Sequence, residues 1–83
     1  MTDPLEGLHP GIILKTQILE KTGMSQNYLA QMIRVPPNRI HDIVRGRRSI
    51  TADTDLRLCR FFGLPEGYWL RIQNAYDLSI ARE

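Results

Sequence analysis

The chain has 83 residues, with 42% hydrophobic and 24% charged residues, values that are typical of one ordinary globular domain. Its lone cysteine excludes an internal disulfide, and no apolar run approaches the ~18 residues of a transmembrane helix. The first residues lack the basic start and apolar core of a signal peptide, so we expect a cytoplasmic protein without membrane contact.

The charge is unevenly distributed along the chain. The net charge is only +2, but Arg34 to Arg48 contains five arginines and one aspartate, a local net charge of +4. A basic stripe on a mildly acidic body is typical of a polyanion-binding face. A solvated polar helix has the same composition, so the place of the stripe in the fold must decide between them.

Helical spacing of apolar residues predicts an all-α chain of five short helices, with no strand pattern. The first helix is expected from His9-Pro10 to Gly23, and the second is expected to begin after Ser25, whose hydroxyl can accept a backbone N–H. The predicted inward positions are Ile13, Leu14 and Ile18 in the first helix, and Leu29, Ala30 and Ile33 in the second.

The third helix is predicted to begin at Pro37 and to end at Gly46, with Ile40, Ile43 and Val44 inward. Thr51 is expected to cap the fourth, with Asp53 and Asp55 at its positive end. The apolar seam predicted for the fourth helix is Ala52, Leu56, Cys59 and Phe62. A fifth helix is expected from about Pro65, and Trp69, Ile72, Tyr76 and Ile80 would lie along one of its sides.

Only about four residues separate the second and third helices, which predicts a helix-turn-helix over residues 25–46. The residue before a proline avoids helical angles, so Pro36 ends the turn. Pro37 fits a first helical position and fixes the exposed N-terminal tip of the third helix, which such proteins insert into the major groove.

The residues at that tip are suited to base recognition. Asn38 can pair with adenine and Arg39 with guanine, each worth about 1–3 kcal/mol of discrimination. Arg45, Arg47 and Arg48 lie at and beyond the other end and are predicted to contact phosphates, as is Gln26 at the start of the second helix. An ordinary surface pair between Arg39 and Asp42 is the simpler alternative for those two residues.

Most of the chain, from about residue 9 to residue 78, resembles HigA-type antitoxins of the phage-repressor helix-turn-helix class. The most specific segments are RRSITADTDLRL and YWLRIQNAYDL. The resemblance implies a compact five-helix, lambda-repressor-like DNA-binding domain that forms a homodimer and represses its own operon at a palindromic operator. It also implies a HigB-type, mRNA-cleaving toxin as partner, and no cofactor.

Carried onto this chain, the family's operator contacts fall on Gln26, Asn38 and Arg39, with Arg45 and Arg47 as phosphate partners. Its dimerisation segment falls on the last helix, over about residues 65–80, around Trp69, Ile72 and Tyr76. These aromatic positions suit a monomer core as well as an interface.

The sequence departs from the family at three positions. Arg34 occupies the turn position where glycine is usual, which predicts a strained or altered turn. Gly67 stands where a helix former is usual, and Ile12 replaces an acidic residue.

Other functions remain open at this stage. A repressor without a toxin, or an interaction module that no longer binds DNA, has the same helical pattern. An enzyme is the weakest hypothesis, because His9, His41 and Cys59 are predicted on different faces and no phosphate loop or metal-ligand spacing appears. If the partner is a basic toxin, we expect it to contact the acidic start of the chain (Asp3 and Glu6) and the first helix, which are not needed for DNA binding.

Overall fold

A computed structural model describes residues 7–83, and within that range all regular structure is helical. Helix α1 spans residues 10–22 and contains three successive parts: α-helix Pro10–Ile13, π-helix Leu14–Leu19 and α-helix Glu20–Thr22. The other helices are α2 (Gln26–Ile33), α3 (Pro37–Val44), α4 (Ala52–Phe62) and α5 (Tyr68–Ala81). Asp3 and Glu6 lie outside the described residues.

The predicted starts of the first four helices are confirmed by their caps. The His9 Nδ1 atom accepts the Gly11 N–H at 2.9 Å, and Pro10 is the first residue of α1. The Ser25 hydroxyl accepts the Tyr28 N–H at 3.0 Å, and Thr51 likewise accepts from Thr54. Pro36 is extended, with φ −60° and ψ 142°, and α3 begins at Pro37.

The inward stripe of α1 contains the predicted residues and, in addition, Leu19. Leu14 and Leu19 are buried and Ile18 is only half-buried. The centre of the helix is π-helical, with hydrogen bonds that span five residues, so positions five apart share a face. Ile13 and Leu14 are buried as predicted, and Ile18 packs against the core from a half-buried position, so the predicted stripe is confirmed. Regular α-helical spacing did not indicate Leu19 as a further buried residue.

The apolar seam predicted for α4 is confirmed for Cys59 and for Phe62, which packs against the core, and is wrong for Ala52. Ala52 is exposed, Leu56 and Phe62 are half-buried, and only Cys59 of the four is fully buried. The inward face consists of Thr54, Asp55, Leu58 and Cys59. A polar pair faces inward because Asp55 has a structural partner, the N-terminus of α5.

Helix α5 begins at Tyr68, about three residues later than predicted, because Gly67 is left-handed with a φ of 89°. Gly67 therefore lies just before the helix, at its N-cap position, where a helix former is not required. The Asp55 carboxylate accepts the N–H groups of Gly67, Trp69 and Leu70 at 2.7, 2.9 and 3.2 Å. It satisfies amides that a helix start leaves unpaired, and its charge suits the positive end of the helix dipole.

Helix α1 lies directly against α3, the second helix of the helix-turn-helix. A Cβ atom built on Gly11 would lie 1.8 Å from the backbone oxygen of Ile43, so only a residue without a side chain fits there. The core around this contact is contiguous, and its fully buried apolar members include Leu14, Leu29, Ala30, Ile40, Ile43 and Leu58. In residues 7–83, no helix combines the length and apolar character needed to span a membrane.

Candidate nucleic-acid interface

The segment between α2 and α3 makes the sharp turn that the sequence predicts. Arg34 adopts the left-handed conformation, with φ 61° and ψ 48°. Among the described residues, every other residue with a positive φ is a glycine. The Val35 N–H donates to the Ala30 oxygen at 3.0 Å and so closes the end of α2. The strained turn expected from Arg34 is confirmed, since this conformation normally favours glycine.

Arg57 of α4 holds this turn from the side. Its Nη1 atom donates to the Ile33 oxygen at 3.0 Å and lies 3.4 Å from the Arg34 oxygen. The last carbonyls of a helix lack intrahelical partners and carry partial negative charge, so a guanidinium group stabilises them. The turn therefore keeps its geometry without the usual glycine.

We expect Arg34→Gly to raise the free energy of unfolding by about 0.5–1 kcal/mol. Glycine removes left-handed strain of about 1–3 kcal/mol, and its greater freedom in the unfolded chain offsets part of the gain. Urea unfolding at equilibrium measures the change, with Arg34→Lys as the control that retains both strain and charge. A less stable Arg34→Gly variant would show that the arginine side chain outweighs the strain.

The tip of α3 presents its two predicted base-reading residues differently. Asn38 is exposed. The side chain of Arg39 is 27% exposed, and its Nη1 atom donates to the Asp53 Oδ2 atom at 2.8 Å. The ion pair of Arg39 is therefore made with α4, whereas the alternative in the sequence was a pair with Asp42.

The remaining cations predicted for phosphate contact follow α3. Arg45, Arg47 and Arg48 are all exposed, and the Arg47 N–H donates to the Asp42 backbone oxygen at 2.8 Å, which folds this segment back on the helix. Gln26 is half-buried in the first turn of α2. The basic stripe thus flanks α3, which itself contributes Arg39, and the other four arginines of the stripe are exposed.

The three residues predicted for a dimer interface lie in different environments. Trp69 is 1% exposed and belongs to the core, so its assignment to an interface is corrected: its side chain is covered within the chain. Ile72 and Tyr76 are half-buried, and Tyr76 packs edge-on against the His9 ring at 5.0 Å between centroids. Ile80, predicted on the same side, is exposed, as is Leu78.

His9, His41 and Cys59 each have separate partners. Burial lowers the pKa of His9, only partly opposed by Asp77, which keeps the Nδ1 atom free to accept from Gly11. The His41 Nε2 atom faces the Asn27 oxygen at 3.0 Å. Burial, reinforced by the nearby Asp55 carboxylate, raises the pKa of the Cys59 thiol, which disfavours the reactive thiolate.

Four residues that support the site were not given these roles from the sequence: Asp53, Asp55, Arg57 and Gln73. The Gln73 side chain accepts the Ile50 N–H at 2.8 Å and donates to Asp77, so it fixes the segment between α3 and α4. A sequence signal existed for one pair, because Asp53 and Arg57 have the i, i+4 spacing of a helical ion pair. The long-range partners carry no such signal.

The chain is similar in sequence and in structure to helix-turn-helix proteins, among them antitoxins of the HigA type. The helix-turn-helix family model matches residues 16–69. Virulence-associated protein I of Dichelobacter nodosus is 47% identical over 79 residues, which are 95% of this chain and 73% of that protein. An addiction module antidote protein of a HigA family from Coxiella burnetii is 46% identical, with a TM-score of 0.86 over 92% of this chain and 83% of its own. Antitoxin HigA of Pseudomonas aeruginosa, solved with the higBA promoter, is 36% identical, with a TM-score of 0.87 over 90% and 82%.

The chain belongs to the helix-turn-helix family. Its similarity to HigA-type antitoxins, predicted from the RRSITADTDLRL and YWLRIQNAYDL segments, is confirmed by these solved structures. The all-α fold with a helix-turn-helix is confirmed as well.

Proposed function

We propose that the chain is the antitoxin of a type II toxin–antitoxin module. In this proposal it binds a palindromic operator as a homodimer, represses its own operon and neutralises a HigB/RelE-like toxin that cleaves mRNA. The observation that carries the proposal is the basic stripe around α3, four of whose five arginines are exposed, on a fold that matches an antitoxin HigA solved with its higBA promoter.

The residues in and after α3 are proposed to have two different roles in DNA binding, base reading and phosphate contact. Asn38 and Arg39 at the tip carry the donors and acceptors that distinguish base pairs in the major groove. Arg45, Arg47 and Arg48 carry the same guanidinium group but lie beyond the C-terminal end of α3, away from its tip. They are proposed to contact phosphates, which fixes the register of the protein on the duplex.

We expect Arg39→Ala and Arg47→Ala to affect DNA binding in different ways. Arg39→Ala should relax the preference at one base pair by about 1–3 kcal/mol. Arg47→Ala should weaken binding to all sequences alike and reduce the slope of log K against log salt by about 0.9. Salt titrations on a specific and a scrambled duplex measure both effects, and each variant is the control for the other. An unchanged sequence preference in Arg39→Ala, or an unchanged salt slope in Arg47→Ala, would contradict the assigned role.

The exposed apolar residues of α5 support the homodimer. Leu78 and Ile80 are 46% and 48% exposed near the end of the helix, and Ile72 and Tyr76 are half-buried. A two-fold dimer through this helix is proposed to place two α3 helices about 34–36 Å apart, one turn of DNA.

The toxin partner is tested by genetics and purification together. The open reading frame immediately upstream is co-expressed with this chain, the encoded protein carrying the affinity tag. Co-purification and relief of the growth arrest caused by the tagged protein alone are expected. Arg47→Ala is the matched control, because it should lose DNA affinity and keep the neutralising activity. Absence of both co-purification and growth rescue would instead indicate a repressor without a toxin.

A further inference from the structure

A chain of polar contacts links the recognition helix to the turn that precedes it. The Arg39 Nη1 atom donates to the Asp53 Oδ2 atom at 2.8 Å. The Arg57 Nε atom donates to both carboxylate oxygens of Asp53, at 3.1 and 3.0 Å. The Arg57 Nη1 atom in turn donates to the Ile33 oxygen at the end of α2. Asp53 is thus the bridge between one arginine at the tip of α3 and one anchored on the turn.

The geometry of this bridge leaves Arg39 able to bind a second acceptor. A guanidinium group has five N–H donors in a rigid plane, and Asp53 engages it through a single nitrogen. Within residues 7–83 the Nε and Nη2 atoms of Arg39 make no hydrogen bond, so this edge can form a bidentate contact, the mode in which arginine reads the O6 and N7 atoms of guanine.

The carboxylate is well placed to hold Arg39 in one conformation. A free arginine side chain has many rotamers, and a side chain that must be ordered on binding reduces affinity. Hydrogen bonds from Arg39, and secondarily from Arg57, lower the pKa of Asp53, because they favour its charged carboxylate. Its first-turn position on α4 fixes the carboxylate relative to the core, since α4 buries Leu58 and Cys59.

We propose that Asp53 is a specificity-determining positioning residue, which orients Arg39 for guanine and keeps it from serving as a general phosphate contact. The proposal rests on the proposed DNA-binding function. It assigns Arg57 the role of fixing the Asp53 carboxylate to the helix-turn-helix turn. Asp53 itself touches no base in this arrangement, and its effect on sequence preference passes through Arg39.

The Asp53 carboxylate should affect specific and non-specific DNA binding in opposite directions, and this makes the proposal testable. Loss of the carboxylate removes a negative charge next to the basic stripe, so affinity for arbitrary DNA should stay constant or rise. Loss of the orientation of Arg39 should weaken binding to the preferred sequence alone. General damage to the fold would weaken both, so a change in opposite directions separates positioning from stability.

The test uses the full chain and a duplex library with a randomised 20-base-pair core, from which wild type, Asp53→Asn, Arg39→Ala and the double variant each select sequences. Dissociation constants are then measured for the best wild-type sequence and for the same duplex with the Arg39-dependent guanine replaced. Asp53→Asn should reduce that discrimination roughly 2- to 12-fold, the effect of ordering one flexible side chain. In the Arg39→Ala background the same substitution should change it little. Asp53→Glu should restore part of the preference, and Glu66→Gln is the control for loss of one exposed negative charge.

The outcomes distinguish the two proposals. If wild type selects no sequence, the proposed DNA-reading function fails. If wild type selects a guanine that depends on Arg39 and Asp53→Asn keeps the same discrimination, only the positioning role is overturned. Equal weakening on all duplexes, with a lowered melting temperature, would also overturn it, because Asp53 would then act on the fold. An equal effect of Asp53→Asn with and without Arg39 would show that it does not act through Arg39.

Discussion

Asp55→Ala is expected to reduce the free energy of unfolding by about 3–5 kcal/mol. The substitution removes the acceptor for three N–H groups at the start of α5, of Gly67, Trp69 and Leu70. An unpaired buried donor costs about 1–3 kcal/mol, and hydrogen bonds to a charged group lie at the upper end of the range. The total stability of a domain is only about 5–15 kcal/mol, so this loss is severe. Urea unfolding followed by circular dichroism measures it.

Two further variants separate capping from a general effect of the substitution. Asp55→Asn retains one acceptor oxygen but turns an amide donor toward another donor, so its loss should fall between wild type and Asp55→Ala. Asp53→Ala, at an exposed position two residues earlier on the same helix, should cost much less. If Asp55→Ala were as mild as Asp53→Ala, the carboxylate would not be what holds the start of α5.

Gly11→Ala, which adds a single methyl group, is expected to reduce both the stability of the fold and the affinity for DNA. The added methyl would lie 1.8 Å from the Ile43 oxygen and 2.7 Å from its carbonyl carbon, and both atoms are backbone. A backbone neighbour cannot rotate away, so α1 and α3 must separate. Overpacking of this kind costs about 1–3 kcal/mol, occasionally more, and displacement of α3 should also reduce DNA affinity. Thermal unfolding and duplex binding measure the two effects.

Gly23→Ala is the matched control for this prediction. A Cβ atom on Gly23 meets no atom within 4 Å, but the residue has a φ of 73°. The loss of stability in Gly23→Ala is expected to come from backbone strain alone. The DNA affinity of the folded protein should be unchanged. Equal DNA affinity for Gly11→Ala and wild type would contradict the importance of the α1–α3 contact for the orientation of the recognition helix.

Local features of the sequence predicted most of the helices. Ser25, Thr51 and the Pro36-Pro37 pair act within a few residues, so their effects on helix starts could be read without tertiary structure. The inward direction of Ile40 and Ile43 follows from spacing alone, and both are fully buried. Backbone strain at Arg34 was predicted correctly, because the turn of the motif requires a left-handed residue at that position.

What the sequence did not show is of two kinds: contacts over a long sequence distance, and one local departure from regular helical geometry. Asp55 faces inward because α5 needs an acceptor 12–15 residues away, which the periodicity of α4 cannot show. The orientation of Arg39 depends on Asp53, 14 residues further along the chain. The π-helical centre of α1 adds Leu19 to its buried face beside Ile18, and a regular helical period does not predict that residue.

The most direct test of the central claim is the dissociation constant for duplex DNA from the chain's own promoter, compared with a scrambled duplex of equal composition. Both are measured at the same physiological salt concentration, because phosphate contacts make affinity strongly dependent on salt. A sequence-reading helix-turn-helix predicts at least about 10³-fold tighter binding to the promoter. Equal affinity for the two duplexes would contradict it and would leave the basic stripe as a non-specific surface.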